Sequence, residues 1–144
     1  MFDDLRDLYQ DAILQRARAP RHARRLEVFD ATASGDNPMC GDRVRVWLRR
    51  DGARIADLGF EARGCQISIA SADLMSEAAS GCTPAEARAL DTALREMLRT
   101  GEGGPEALRP LSGVHEFPSR VKCATLAWDA MLAALKAFEE PGHG

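Results

Sequence analysis

No stretch of this 144-residue chain approaches the roughly 20 apolar residues that a membrane-spanning helix needs. Positive charge is not in excess either. The 19 Lys and Arg are outnumbered by 22 Asp and Glu, and the net charge of -3 offers no electrostatic case for nucleic acid. The opening Met1-Phe2-Asp3-Asp4 is acidic and lacks the basic-then-apolar layout of a signal peptide, so the expected home is cytoplasmic. Paired Cys-x-x-Cys knuckles are missing. So are a phosphate-cradling loop, a Ser-His-Asp set and a dinucleotide-binding turn. Internal repeats and low-complexity tracts are also missing. What is left has the size and composition of one soluble globular domain, 45% apolar and 28% charged. The domain is expected over residues 1–140, with 141–144 as a flexible tail.

The hydrophobic pattern divides this domain into an α+β arrangement. Leu5, Leu8, Tyr9, Ala12 and Ile13 fall at helical spacing, so a first amphipathic helix should end before Pro20. Arg16, Arg18, Arg21, Arg24 and Arg25 cluster there and read as a solvated face, or as a surface for docking a protein. Residues 26–31 are expected to form a short first strand. Val44, Val46 and Leu48 alternate with Arg43, Arg45, Trp47 and Arg49. Asp51-Gly52 then signals a hairpin that returns from Ile55 to Ala62. This is the pattern of an antiparallel sheet, about three strands in all, with one wet face. Ile67, Ala70, Leu74, Met75 and Ala78 share a helical face ending near Gly81. Thr83-Pro84-Ala85-Glu86 reads as a capping box that starts a helix to about Thr100. A short helical turn near Glu106–Leu108 and a last helix from Pro118 complete the pattern.

Four cysteines in a reducing compartment point to metal binding or catalysis rather than to disulfides. Cys40 is followed by Gly41 and Asp42, a turn tight enough for thiol and carboxylate to face one ion. Cys65 follows Gly64 at the start of a helix, where the macrodipole favours thiolate. Cys123 is flanked by Arg120 and Lys122, which favour thiolate too. The hairpin should bring Cys40 and Cys65 to one end of the sheet. Three thiolates and a carboxylate form a tetrahedral zinc set: Cys40, Asp42, Cys65 and Cys123. Asp42, the weaker ligand, would be the first to detach; alternatively one thiolate leaves the metal and acts as a nucleophile. Cys82, with no acidic or His neighbour, reads as a non-ligand, and His22 and His115 read as surface or capping residues. Asp36, Asn37 and Ser34 read as shaping the loop before Cys40.

Asn37-Pro38-x-Cys40-Gly41-Asp42, Gly64-Cys65-x-Ile67-Ser68-x-Ala70-Ser71-Ala72 and Arg120-x-Lys122-Cys123-Ala124-x-Leu126-x-Trp128 resemble the iron–sulfur assembly proteins of the IscU/NifU superfamily. Within it the chain resembles the SufU branch. Lys122 stands where the IscU scaffolds carry a histidine, and the segment from Thr83 to Phe117 is longer than theirs. The resemblance implies an α+β fold, with a small antiparallel sheet covered by helices, and zinc on Cys40, Asp42, Cys65 and Cys123. It further implies a zinc-dependent sulfurtransferase serving a pyridoxal-phosphate cysteine desulfurase of the SufS type and, beyond it, an iron–sulfur scaffold. Cys40 would accept the persulfide sulfur once a partner histidine replaces it on zinc. Arg120 occupies the place of a family arginine near the site and is expected to orient the persulfide or dock the partner. The alternative is a scaffold that builds a 2Fe–2S cluster, or holds iron, on the same thiolates. A third option is a purely structural zinc module. The family's His-Tyr pair and Pro-Arg-Asn are replaced here by Arg16-Ala17 and Pro20-Arg21-His22, and Cys82 is outside the family pattern.

Overall fold

The structure, a computed structural model, describes residues 3–38 and 41–139, with side chains placed for 10–38 and 41–137. Helix α1 (Asp3–Arg18) leads into the strands β1 (Ala31–Asn37), β2 (Asp42–Asp51) and β3 (Arg54–Arg63). Helices α2 (Gln66–Ala79) and α3 (Pro84–Thr100), a 3₁₀ helix over Glu106–Glu116, and α4 (Pro118–Glu139) follow. The strands form one antiparallel sheet in the order β1-β2-β3. This is the α+β architecture expected from the sequence.

Residue alternation decides which face of the sheet is covered. Val44, Val46 and Leu48 of β2 sit opposite Ala62, Phe60 and Leu58 of β3, and five of these six are fully buried. Helix α4 packs over β1 and β2, and α2 over β3 and against α4. Met75, Leu94, Leu111, Trp128 and Met131 fill the layer between sheet and helices. The capping box is present: Thr83 Oγ1 accepts from the Glu86 amide at 3.2 Å, and Glu86 Oε1 accepts from the Thr83 amide at 2.9 Å. Gly101, left-handed at φ 81°, closes α3.

Four expectations change. The first strand is Ala31–Asn37 rather than residues 26–31, although Val28 and Phe29 are better strand formers. The small residues are used because α4 lies directly above them: a Cβ on Gly35 would stand 3.1 Å from the Leu126 carbonyl oxygen. Asp36, Asn37 and Ser34 are therefore strand residues, not loop. The outer face of the sheet is not simply wet, because the chain around Arg24–Leu26 passes over β3. There the Phe60 amide donates to the His22 carbonyl at 3.2 Å, and a Cβ on Gly59 would collide with the Arg24 carbonyl. Trp47 is 1% exposed, with the guanidinium groups of Arg25 and Arg45 each 5.7 Å from its ring centroid. The arginine run is not uniformly solvated either. Arg16 bridges α1 to α2, donating to Asp73 at 2.8 Å and to both Glu77 oxygens at 3.0 Å. Asp73 is fully buried, and its other oxygen accepts from the His22 amide at 2.7 Å. Finally, the helical turn after Pro105 extends to Glu116 rather than stopping near Leu108. The side chains of Leu5, Leu8 and Tyr9 and the tail 141–144 lie outside the described residues.

Candidate metal centre

Asp42 is the first residue of β2, Cys65 lies two residues past the end of β3, and Arg43 pairs with Arg63 between them. The hairpin therefore carries Asp42 and Cys65 to the same end of the sheet. Cys65 is the N-cap residue of α2 but makes no side-chain cap of its own. The Asp42 carboxylate occupies that place instead: Oδ1 accepts from the Cys65 amide at 3.3 Å, and Oδ2 accepts from the Ser68 hydroxyl at 2.6 Å. An anion at a helix N-terminus is favoured by the exposed amides and the macrodipole. Gly64 makes the approach feasible, since at φ 139° any Cβ would run into the carboxylate.

Cys123 arrives from a third direction. It lies in the second turn of α4 and is 2% exposed. Ser71 fixes α4 against α2 by donating to the Ala124 carbonyl at 2.5 Å while accepting from Trp128 Nε1 at 3.1 Å. The Cys65 sulfur, the Cys123 sulfur and an Asp42 oxygen all lie within 4.8 Å of one another. Two thiols and a carboxylate at that separation are donors of the kinds found in tetrahedral zinc and iron–sulfur sites.

Burial would raise the Asp42 carboxyl, but hydrogen bonds from Ser68, Cys123 and Cys65 outweigh it and hold it below the usual carboxylate range. The anion is thus preformed. Cys123 behaves oppositely: burial, then contacts with Cys65 and Asp42, push its thiol up to about 12. This burial beside Asp42 works against the thiolate that Arg120 and Lys122 are expected to favour. Both cations are exposed, whereas Asp42 is a buried negative neighbour. A cation bound at this site would favour ionisation of Cys123. Arg120 does face the site: a hydrogen bond with Cys123, reinforced by the charge of Cys65, raises its pKa.

Cys40 lies outside the described residues. Lys122 is exposed and lines an open groove of about 970 Å³ with Pro38 and His115. His115 directs Nδ1 to the Leu98 carbonyl at 3.3 Å, near the end of α3, in keeping with a capping role. His22 packs by α2, with Nε2 4.0 Å from Glu77. Cys82 sits at the opposite end of the sheet, its carbonyl accepting from the Ile55 amide at 2.8 Å. Two supports of the site, Ser68 and Ser71, stand in the motif quoted from the sequence but were given no role there. The i, i+3 spacing from Cys65 to Ser68, one turn into a helix, is the signal that places a hydroxyl beside the thiol.

The family model of the NifU-like N-terminal domain matches residues 8–142. The chain belongs to this family. The NifU-like chain is 35% identical over 147 residues to the zinc-dependent sulfurtransferase SufU of Bacillus subtilis, covering 97% of each protein. It is 34% identical over 143 residues to the iron–sulfur cluster assembly scaffold protein IscU of Streptococcus pyogenes serotype M1, covering 96% of this chain and 89% of the relative. The crystal structure of a nitrogen-fixing NifU-like protein (N-terminal) from Brucella abortus superimposes with a TM-score of 0.85. That pair is 26% identical and covers 95% of this chain and 98% of the other. The three-stranded sheet under helices is thus the fold of the IscU/NifU iron–sulfur cluster assembly superfamily. Among the described residues no helix is long and apolar enough to cross a membrane.

Proposed function

We propose that this NifU-like chain is a zinc-dependent sulfurtransferase that accepts persulfide sulfur on Cys40 from a pyridoxal-phosphate cysteine desulfurase of the SufS type. The observation that carries the proposal is the convergence of Asp42, Cys65 and Cys123 within 4.8 Å around an ionised, buried carboxylate. The likeness to the SufU of Bacillus subtilis along nearly its whole length supports it. Asp42, Cys65 and Cys123 hold the ion, and Cys40 completes the set. Zinc, when bound, supplies the positive charge that keeps these thiols deprotonated at neutral pH.

The chemistry then belongs to Cys40. Once a partner histidine takes its place in the donor set, the freed thiolate attacks the terminal sulfur of the desulfurase persulfide, R–S–SH. A new S–S bond forms on Cys40, the donor S–S bond breaks, and R–S⁻ departs with the electron pair. The step is a thiol–disulfide exchange with no net redox change. Arg120 presents a fixed positive charge at the mouth of the site, suited to an anionic persulfide or to the partner's surface. The product sulfur passes to an iron–sulfur scaffold in the cytoplasm.

The scaffold reading, in which a 2Fe–2S cluster is built on the same residues, is favoured by the similar identity to the IscU of Streptococcus pyogenes. One experiment separates the two. Zinc-loaded protein is expected to stimulate desulfurase turnover, and Cys40→Ala is expected to abolish the stimulation. Undiminished stimulation by Cys40→Ala overturns the sulfurtransferase. A stable cluster after anaerobic reconstitution, without any stimulation, establishes the scaffold.

A further inference from the structure

We infer that Ser68 is a positioning residue for the Asp42 carboxylate, and that its hydroxyl fixes the geometry of the metal centre. The inference rests on the reading of Asp42 as a ligand. Ser68 is fully buried in the first turn of α2. A serine there ordinarily turns its hydroxyl to the local backbone. This one reaches across to a strand residue 26 positions earlier, at 2.6 Å, the length of a charge-assisted O–H···O⁻ bond. Its alternative acceptor, the Cys65 sulfur, stands 3.6 Å away. The hydroxyl has one proton to give, and the carboxylate takes it.

Three consequences follow for the site. The same helical turn that carries Cys65 also grips Asp42 by both oxygens, through the Cys65 amide and Ser68. Carboxylate and thiol therefore behave as one rigid pair, and Asp42 is not the ligand that swings away. Next, Oδ2 shares its electron density with a short hydrogen bond, whereas Oδ1 accepts a longer one at 3.3 Å. The two oxygens are inequivalent, which favours one short bond to an ion over a symmetric two-oxygen grip. Third, a carboxylate limited to one bond keeps the coordination number at four, the preference of zinc, and disfavours ions that seek more oxygen.

The test uses the full chain with Zn²⁺ and Co²⁺ as probes. Ser68→Ala is expected to weaken zinc binding by about 10-fold in chelator competition, the low end for loss of a ligand's supporting hydrogen bond. Its Co²⁺ complex is expected to lose visible absorption intensity as the carboxylate becomes bidentate and the site leaves tetrahedral geometry. X-ray absorption of the zinc-loaded natural protein provides a measurement independent of any variant, and a single short Zn–O distance is expected. Ser68→Ala with unchanged affinity and cobalt spectrum, alongside an Asp42→Ala variant that loses metal, overturns the inference and leaves the ligand reading standing. Two equal Zn–O distances in the natural protein also overturn it. Asp42→Ala that retains full zinc affinity removes the ligand reading itself, and the role of Ser68 with it.

Discussion

Helix α2 has a cysteine near each end, and the two could hardly differ more. Cys65 caps its N-terminus; Cys82 lies two residues beyond the C-cap Ser80. Both are half-buried, and each follows a glycine of positive φ. At the N-terminal end the helix dipole favours negative charge, and a carboxylate, a hydroxyl and a second thiol converge. Cys82 lies beyond the end of α2 but directly before Thr83, the N-cap of α3, so helix polarity alone does not separate the two cysteines. Burial and then Glu86 push the Cys82 thiol up, only partly countered by Arg54. Its sulfur is spent on the Ala78 carbonyl at 3.4 Å. A cysteine beside a glycine at a helix start is therefore uninformative alone; the groups brought from other elements distinguish the candidate ligand.

The largest expected effect tests that contrast directly. Cys65→Ser or Cys123→Ser should lower zinc affinity on the order of 100-fold, as loss of one of a few strong ligands would. Cys82→Ser should leave affinity within about two-fold on the same reasoning. Chelator competition reads both, and an equal loss at Cys82 would erase the distinction between the two ends.

The paired glycines give the next effect. At Gly64 a side chain meets the Asp42 carboxylate, but at Gly81 nothing lies within 4 Å. Gly64→Ala should destabilise the metal-free protein by about 3 kcal/mol, combining backbone strain with the clash. Gly81→Ala should cost about 1 kcal/mol, for left-handed backbone alone. Urea denaturation of both variants would reveal a reversed order.

The smallest effect is in pH. Because the folded Cys123 thiol is raised from 9.0 to about 12, the folded state holds its proton where the unfolded chain has lost it. Metal-free stability should fall as pH rises past 9.0 toward 12. In Cys123→Ser that slope should flatten, leaving the weaker contribution of Cys82, which has the same sign. Asp42 acts at the other extreme. Its lowered pKa contributes stability that is present above 3.8 and lost as pH falls further. Denaturation midpoints across both ranges measure the two slopes.

Much of the site was legible in the sequence because Asp42, Gly64, Cys65 and Cys123 each carry a chemistry with few alternatives. The hairpin supplied the geometry that joins the first three. Ser68 and Ser71 were not legible as supports: hydroxyls are common, and their partners lie 26 and 53 residues away. What opposes ionisation of Cys123 was hidden for a related reason. Its local cations are visible in the sequence, while its burial beside Asp42 arises only when α4 packs on the sheet. The displaced first strand and the covered Trp47 have the same origin, since both depend on the path of a neighbouring segment. Helix caps, being local, were read correctly at Thr83 and Glu86.

The dispersal of the three converging residues has a consequence for biogenesis. Asp42 and Cys65 leave the ribosome well before Cys123, and Ser71 has no α4 to receive until Trp128 has been made. A nascent chain that stops short of α4 thus offers only an incomplete donor set. On the zinc reading proposed above, metal loading would wait until α4 has docked, and partly synthesised chains would be spared premature capture of the ion.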